Sequence, residues 1–168
     1  MQVTVRNYRP ADFKTLLAID QSCFAPGVAY TPYELRTYID RRGSFAFIAE
    51  AQADSADANV DSHPGSSAIL GFIVAERSRG SGHIITIDVR SEVRRQRVGS
   101  VLLHAAEEQL RGWNCRSVRL ETAVDNIAAL CFYKRHGFSV LTTIPRYYAN
   151  GVDALLLEKH LLSPERSS

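Results

Sequence analysis

The chain has 168 residues, of which 45% are hydrophobic and 23% charged, and its net charge is +2. That composition supports one well-packed domain and leaves little room for a second. The near-neutral balance argues against a nucleic-acid-binding protein, which carries a strong basic footprint, and no apolar run approaches the roughly 18 residues that span a bilayer.

Met1–Arg6 lacks the charged and apolar regions of a signal peptide. Val3 and Val5 alternate with polar residues as in a strand, which Arg9-Pro10 ends. Pro10 suits the first turn of a helix, where its missing N–H is no loss, and Phe13, Leu16 and Leu17 continue at helical spacing. Phe24-Ala25-Pro26-Gly27 closes that helix. Thr31, Pro32 and Glu34 form a capping box for the next, whose apolar face is Leu35, Tyr38 and Ile39. Phe45–Ala51 and Ala68–Ala75 read as strands, with a long Asp/Ser/Ala/Gly/Pro-rich hairpin loop, Gln52–Ser67, between them. A turn at Ser78–Gly82 leads to a β-branched strand, His83–Val89.

Val98, Val101, Leu102 and Ala105 give a helix over Val98–Arg111 one apolar face. Gly112 suits its end, and Glu107 and Glu108 read as surface charges. Ser117–Ala123 alternates, with Val118 and Leu120 facing one way and Arg119 and Glu121 the other. Asp125-Asn126 caps a helix over Ile127–His136, with Gly137 at its C-terminal end. Phe138–Ile144 and Val152–Glu158 are strands joined across Asn150-Gly151, a dipeptide that tolerates positive φ. The predicted order, β-α-α-β-β-β-α-β-α-β-β, defines a mixed α/β domain, a central sheet with helices on its faces. It spans residues 1–162, with a short polar tail at 163–168. Cys23, Cys115 and Cys131 are odd in number and lack metal spacing. Buried thiols in a cytoplasmic protein are expected, Cys131 among them because apolar residues flank it.

Chemistry concentrates between Asp88 and Leu103, where a strand ends, a loop carrying Arg94, Arg95 and Arg97 follows, and a helix begins. Unpaired N–H groups and about half a positive charge at a helix N-terminus attract anions. A phosphate-bearing ligand and a solvated basic loop both fit those residues. There is no Gly-Lys-Ser/Thr, so this is not a Walker loop.

Arg94 to Ser100 resembles the pyrophosphate loop of the GNAT superfamily of N-acetyltransferases, Q/R-x-x-G-x-G/A before an apolar helix. Arg94 stands first and Gly99 last. Arg97 replaces the central glycine, which would let the backbone approach a pyrophosphate closely. Arg97 has a Cβ to place elsewhere and a charge that offsets part of the lost fit. Downstream, Leu120-Glu121 through Asn126 to Phe132-Tyr133 and Gly137-Phe138 is similar to the L-E-x-x-x-x-N…A…FY-x-x-x-GF signature of RimI-like enzymes, which acetylate protein N-termini. Asn126 follows Glu121 by five positions and precedes Tyr133 by seven. Pro145–Ala154 resembles that family's R-x-Y-Y-x-x-G-x-D-A hairpin, and Phe24–Tyr30 its substrate-side loop.

The resemblance implies acetyl-CoA as co-substrate and direct transfer to an amine, most simply the N-terminal α-amino group of a protein or peptide such as a ribosomal protein. It implies cofactor contacts from Ile87, Asp88, Val89, Arg94, Arg95, Gln96, Arg97, Val98, Gly99, Ser100, Asn126 and Tyr133. Glu121 is the implied general base, direct or through water, and Tyr133 the acid that protonates the departing thiolate. Phe24, Val28, Tyr30, Tyr147 and Tyr148 are implied to line the acceptor site. Tyr133 also suits a core aromatic, Asn126 a helix cap, and Glu121 a solvated strand residue. His83, His104 and His136 lack ligand spacing, so no metal is assigned. No nucleic acid or membrane partner is expected, and a monomer or weak dimer is. Acetylation of a small amine or a lysine side chain, and non-catalytic CoA binding, remain open alternatives.

Overall fold

The structure, a computed structural model, describes residues 1–52 and 68–162. The expected loop at 52–67 and tail at 163–168 therefore lie outside the described residues, save Gln52. Chain order runs β1 (Val3–Asn7), α1 (Phe13–Cys23), α2 (Pro32–Asp40), β2 (Ser44–Ala51), β3 (Ile69–Ser78), β4 (Ser81–Val89), α3 (Val98–Gly112), β5 (Ser117–Ala123), α4 (Ile127–Arg135), β6 (Ser139–Ile144) and β7 (Ala154–His160). Short 3-10 turns at Pro10–Asp12 and Ser91–Val93 lead into α1 and toward α3. This is the predicted order, with boundaries displaced by a few residues.

Local signals act as their chemistry requires. The Glu34 N–H donates to Thr31 Oγ1 at 3.2 Å and the Thr31 N–H to Glu34 Oε2 at 2.8 Å, a complete capping box. Pro10 opens its 3-10 turn.

The sheet order is β1-β2-β3-β4-β5-β7-β6. Every neighbouring pair is antiparallel except β4 and β5. Each face is covered. On one, Phe13, Leu16 and Ile19 of α1 and Leu35 and Ile39 of α2 pack on Ile48, Phe72 and Val74. On the other, α3 and Tyr133 of α4 pack on Ile73, Ile84, Val118, Leu120 and Leu157. Leu102, Leu103 and Leu110 are sealed there, each contributing about 1.5–3 kcal/mol by burial. No described helix is long and apolar enough to cross a membrane.

Several sequence expectations change. The buried stripe of α3 is Val98, Leu102, Leu103, Ala106 and Leu110, while Val101 is 37% exposed. The helix is covered by the sheet along a line rotated toward Leu103, so Val101 falls on its rim. Glu107 is not a surface charge: it is 4% exposed, and its carboxylate accepts from Lys159 Nζ of β7 at 2.9 and 3.0 Å. Cys131 is exposed, because α4 turns Tyr133 inward and Cys131 outward; Cys115 is buried and Cys23 half-buried. Gly112 is the last residue of α3 and Asn114, at φ 59°, takes the left-handed conformation after it. Asn150-Gly151 lies within a loop over 145–153 rather than forming a two-residue hairpin, and only Gly151 of the two has positive φ.

Candidate active site

β4 and β5 are the only parallel neighbours in the described sheet, and they pair at just two positions, Gly82 with Val118 and His83 with Arg119. Beyond those the strands part. β4 stays with β3, and β5 pairs along its length with β7. The register slips at the same place. Val74 faces Thr86 and Ala75 faces Ile84, so Ile85 is the extra residue of a bulge, which bends the strand and redirects the side chains beyond it. The Tyr30 hydroxyl donates to the freed Ile85 carbonyl at 3.2 Å. A wedge-shaped opening results, bounded by Ile85–Val89 and Leu120–Ala123.

At its vertex, His83 Nε2 lies 2.7 Å from Glu121 Oε2, and His83 Nδ1 lies 3.6 Å from Glu76. Burial opposes the charged imidazole, but the Glu121 hydrogen bond and the two carboxylates outweigh it, so His83 titrates above its ordinary value. Glu121 is therefore a held carboxylate rather than a freely solvated one. Its partner escapes a reading of the sequence because a separation of 38 positions along the chain hides a one-strand separation in space.

Tyr133 points inward from α4 and is 7% exposed. Its ring meets Phe132 and Phe138 edge-on, with centroids 5.3 and 5.6 Å away. Burial, then the nearby Asp88 and Tyr148, push its phenol well above the ordinary range, so it is a protonated donor at neutral pH. Asn126 sets the start of α4, where its Oδ1 accepts from the Ala129 N–H at 3.2 Å.

The loop before α3 is shaped for an anion. Arg95 (φ 63°) and Arg97 (φ 64°) both adopt the left-handed conformation, so the glycine-type backbone is retained at Arg97 despite its Cβ. The N–H groups of residues 95–100 donate to no backbone carbonyl among the described residues. Successive amides in such alternating backbone form a concave anion site at a helix N-terminus. The Arg95, Gln96 and Arg97 side chains are exposed, whereas Val98 is core and offers only its backbone. Arg94 turns back: its Nε donates to the Val89 carbonyl at 3.2 Å and its Nη2 to Cys23 Sγ at 3.5 Å. A Cβ at Gly99 would stand 3.4 Å from the Phe132 ring, an ordinary contact, so packing there does not itself demand glycine. His136 also joins α3 to α4. Its Nδ1–H donates to the Phe132 carbonyl at 2.8 Å, leaving Nε2 to accept from the Ser100 hydroxyl at 3.0 Å. The Ser100 hydroxyl is thus already engaged.

Of the expected acceptor residues, Tyr30, Tyr147 and Tyr148 lie near one another. Tyr30 stacks obliquely on Tyr38 with centroids 5.3 Å apart, and Tyr147 meets Tyr148 edge-on at 4.9 Å. Both Tyr147 and Tyr148 lie within the field of Glu121. Burial, then Glu121, pushes Tyr147 up to about 12. Gly27 (φ 87°) lets the loop after α1 meet the β6–β7 loop, where a Cβ would stand 3.3 Å from the Asn150 nitrogen. Phe24 and Val28 on the same loop are half-buried. Asp88 does not enter the opening with its side chain, which is 1% exposed and turned toward α1. An open depression of about 740 Å³, lined by Arg6, Asp12, Glu50 and Arg90 among others, reaches Glu92 and Val93 just before the loop that precedes α3. Arg6 there is committed to Asp12 and Glu50 at 2.8 and 2.6 Å. The described residues contain no cluster of three or more metal-ligating side chains.

A strand-split sheet with an amide-lined loop at one side and a held carboxylate at the vertex defines an acyltransferase architecture. The acetyltransferase (GNAT) family model matches residues 13–138, and the chain belongs to that family, whose acetyl donor is acetyl-CoA. It is similar to an N-alpha-acetyltransferase of Sulfurisphaera tokodaii, 36% identical over 166 residues, 91% of this chain and 90% of the relative. Among solved structures, Ard1 from Thermoplasma volcanium superposes with a TM-score of 0.81 at 25% identity, covering 97% of this chain and 100% of that one. The ribosomal-protein-S18-alanine N-acetyltransferase of Escherichia coli gives 0.77 at 18% identity over 99% of each chain, a likeness of fold.

Proposed function

We propose that this acetyltransferase moves the acetyl group of acetyl-CoA to the N-terminal α-amino group of a protein or peptide, directly within a ternary complex. The observation that carries the reading is the His83–Glu121 contact of 2.7 Å at the vertex of the β4–β5 opening, beside the Tyr147–Tyr148 wall. An α-amino group has an ordinary pKa of about 7.7–8.0 and cannot attack while protonated. Glu121, kept in place by His83, takes that proton directly or through a water. The amides of residues 95–100, with the charges of Arg95 and Arg97, hold the diphosphate of the donor. Ile87–Val89 flank the pantetheine arm. Tyr133 gives its proton to the sulfur as the C–S bond breaks, and the proton that the nitrogen sheds as the C–N bond forms returns through solvent to restore the phenol. Phe24, Val28, Tyr30, Tyr147 and Tyr148 surround the first residues of the acceptor. The N-alpha-acetyltransferase identity of the Sulfurisphaera tokodaii relative, at nine-tenths coverage, supports this acceptor class. The Escherichia coli neighbour acts on a ribosomal protein, which makes a ribosomal N-terminal peptide a reasonable first acceptor to try.

The test is an acceptor panel with acetyl-CoA, read by mass. It contains peptides with a free N-terminus, the same peptides N-blocked with an internal lysine, and small polyamines. Acetylation confined to free N-termini is expected. Preference for polyamines or lysine overturns the acceptor assignment, and acetyl-CoA binding with no transfer to any member overturns catalysis.

A further inference from the structure

Two buried carboxyl side chains have no assigned part in the acetyl transfer. Asp20, on α1, is 0% exposed, and Asp88, near the end of β4, is 1% exposed. Each has one satisfied oxygen. Asp20 Oδ2 accepts from the Tyr30 N–H at 2.7 Å, and Asp88 Oδ1 accepts from the Thr86 hydroxyl at 2.7 Å. The other oxygens, Asp20 Oδ1 and Asp88 Oδ2, have no donor among the described residues, yet the two carboxyls are within hydrogen-bonding reach of each other. Two carboxylates cannot face each other across a dry interior, because neither supplies a proton and both are charged. One proton between them resolves both problems.

We propose that Asp20 and Asp88 share one proton in the folded protein and that this acid pair acts as a clasp, positioning the acceptor loop against the end of β4. One side of the clasp holds the Tyr30 amide, and Tyr30 in turn holds the bulge carbonyl of Ile85. The other side is part of the strand stretch flanking the acetyl donor. Both are positioning residues, and the positioning role rests on the acetyl-transfer reading.

The surroundings favour retention of the proton. Burial acts first on both groups, and Asp20 raises Asp88 further. Glu34 of α2 adds negative charge near Asp20. The Tyr30 amide, the Thr86 hydroxyl and Arg94 act the other way. Cys23 and Tyr133 also lie in the field of Asp88, and both are held in their neutral forms. The two carboxyls titrate together, and the retained proton belongs to the pair. Since the folded-state values are raised, the stabilisation is fully present below the ordinary aspartate range of about 4 and is lost as pH rises through the raised value.

The experiment uses the full chain labelled with carboxyl-¹³C aspartate, titrated by NMR, beside acetyl-transfer kinetics. One aspartic acid still protonated at pH 7 in the wild type, and absent from Asp20→Asn, is expected. All aspartate carbons titrating below about pH 5 overturn the proposal, whether or not the protein acetylates anything. In unfolding equilibria, one retained proton predicts a tenfold loss per pH unit above the unfolded value, relative to Asp20→Asn; parallel pH profiles contradict it. In kinetics, Asp20→Ala should raise the peptide KM at least tenfold while acetyl-CoA affinity stays within about threefold, and Asp20→Asn, whose amide supplies the missing hydrogen, should recover most of that loss at pH 7. If Asp20→Ala leaves the peptide KM unchanged, or Asp20→Asn recovers nothing, the clasp has no role in positioning.

Discussion

Arg97 occupies a backbone conformation that glycine adopts freely and a side chain with a Cβ adopts at a cost of about 1–2 kcal/mol. The sequence pattern marks the position but not the response to it: the loop keeps its shape and the residue bears the strain. Arg97→Gly should therefore raise unfolding stability by about 1 kcal/mol while weakening acetyl-CoA binding several-fold through loss of the charge, most visibly at low salt. A denaturation midpoint and a calorimetric titration check the two halves. His83 supplies a second prediction. Its charged form is stabilised chiefly through Glu121, so that stabilisation is present below its ordinary value near 6.5 and disappears as pH rises through the raised one. Glu121→Gln should lower the His83 midpoint in an imidazole NMR titration, and an unmoved midpoint would contradict the pairing. Glu121 was marked by the resemblance of Leu120–Phe138 to the RimI-like signature, since by alternation alone it is a polar strand residue. His83 was not, because its partner sits on a parallel neighbouring strand and no sequence spacing links the two.

Among the elements, α4 shows how a cap serves a site. Asn126 orients the first turn through the Ala129 N–H, and the helix carries Tyr133 inward and His136 toward Ser100. Asn126→Ala should cost about 1 kcal/mol and Asn126→Ser much less, measured by thermal unfolding. A matching rise in the KM for acetyl-CoA in Asn126→Ser alone would add a direct ligand contact. The capping box at Thr31 and Glu34, the Asn126 cap, the strand pattern and the basic loop were readable because they are local chemistry within four or five residues. The bulge at Ile85 was not, since His83–Val89 is an uninterrupted β-forming run and only the pairing with β3 reveals the extra residue. The face of α3 was displaced for a related reason. Val101 and Leu103 are both strongly apolar, and the position of the sheet decides which of them is covered.

Across the whole molecule, a half-buried ion pair ties the two halves of the sheet together. Glu107 of α3, a helix that packs mainly on the β2–β4 side, receives Lys159 of β7 on the other side of the opening. Glu107→Ala leaves Lys159, 22% exposed, without its partner, and should cost about 1.5 kcal/mol, read from the denaturant midpoint at unchanged slope. Such a brace matters because β4 and β5 share only two paired positions, so the opening depends on packing from α3 and α4 for its width. The most direct test of the chemistry assigned to that opening is single-turnover transfer to a free N-terminal peptide by protein preloaded with acetyl-CoA. Glu121→Gln and Tyr133→Phe should bind the donor like the wild type and transfer about 10²–10⁴ times more slowly; transfer at the wild-type rate by either variant would contradict its assigned role.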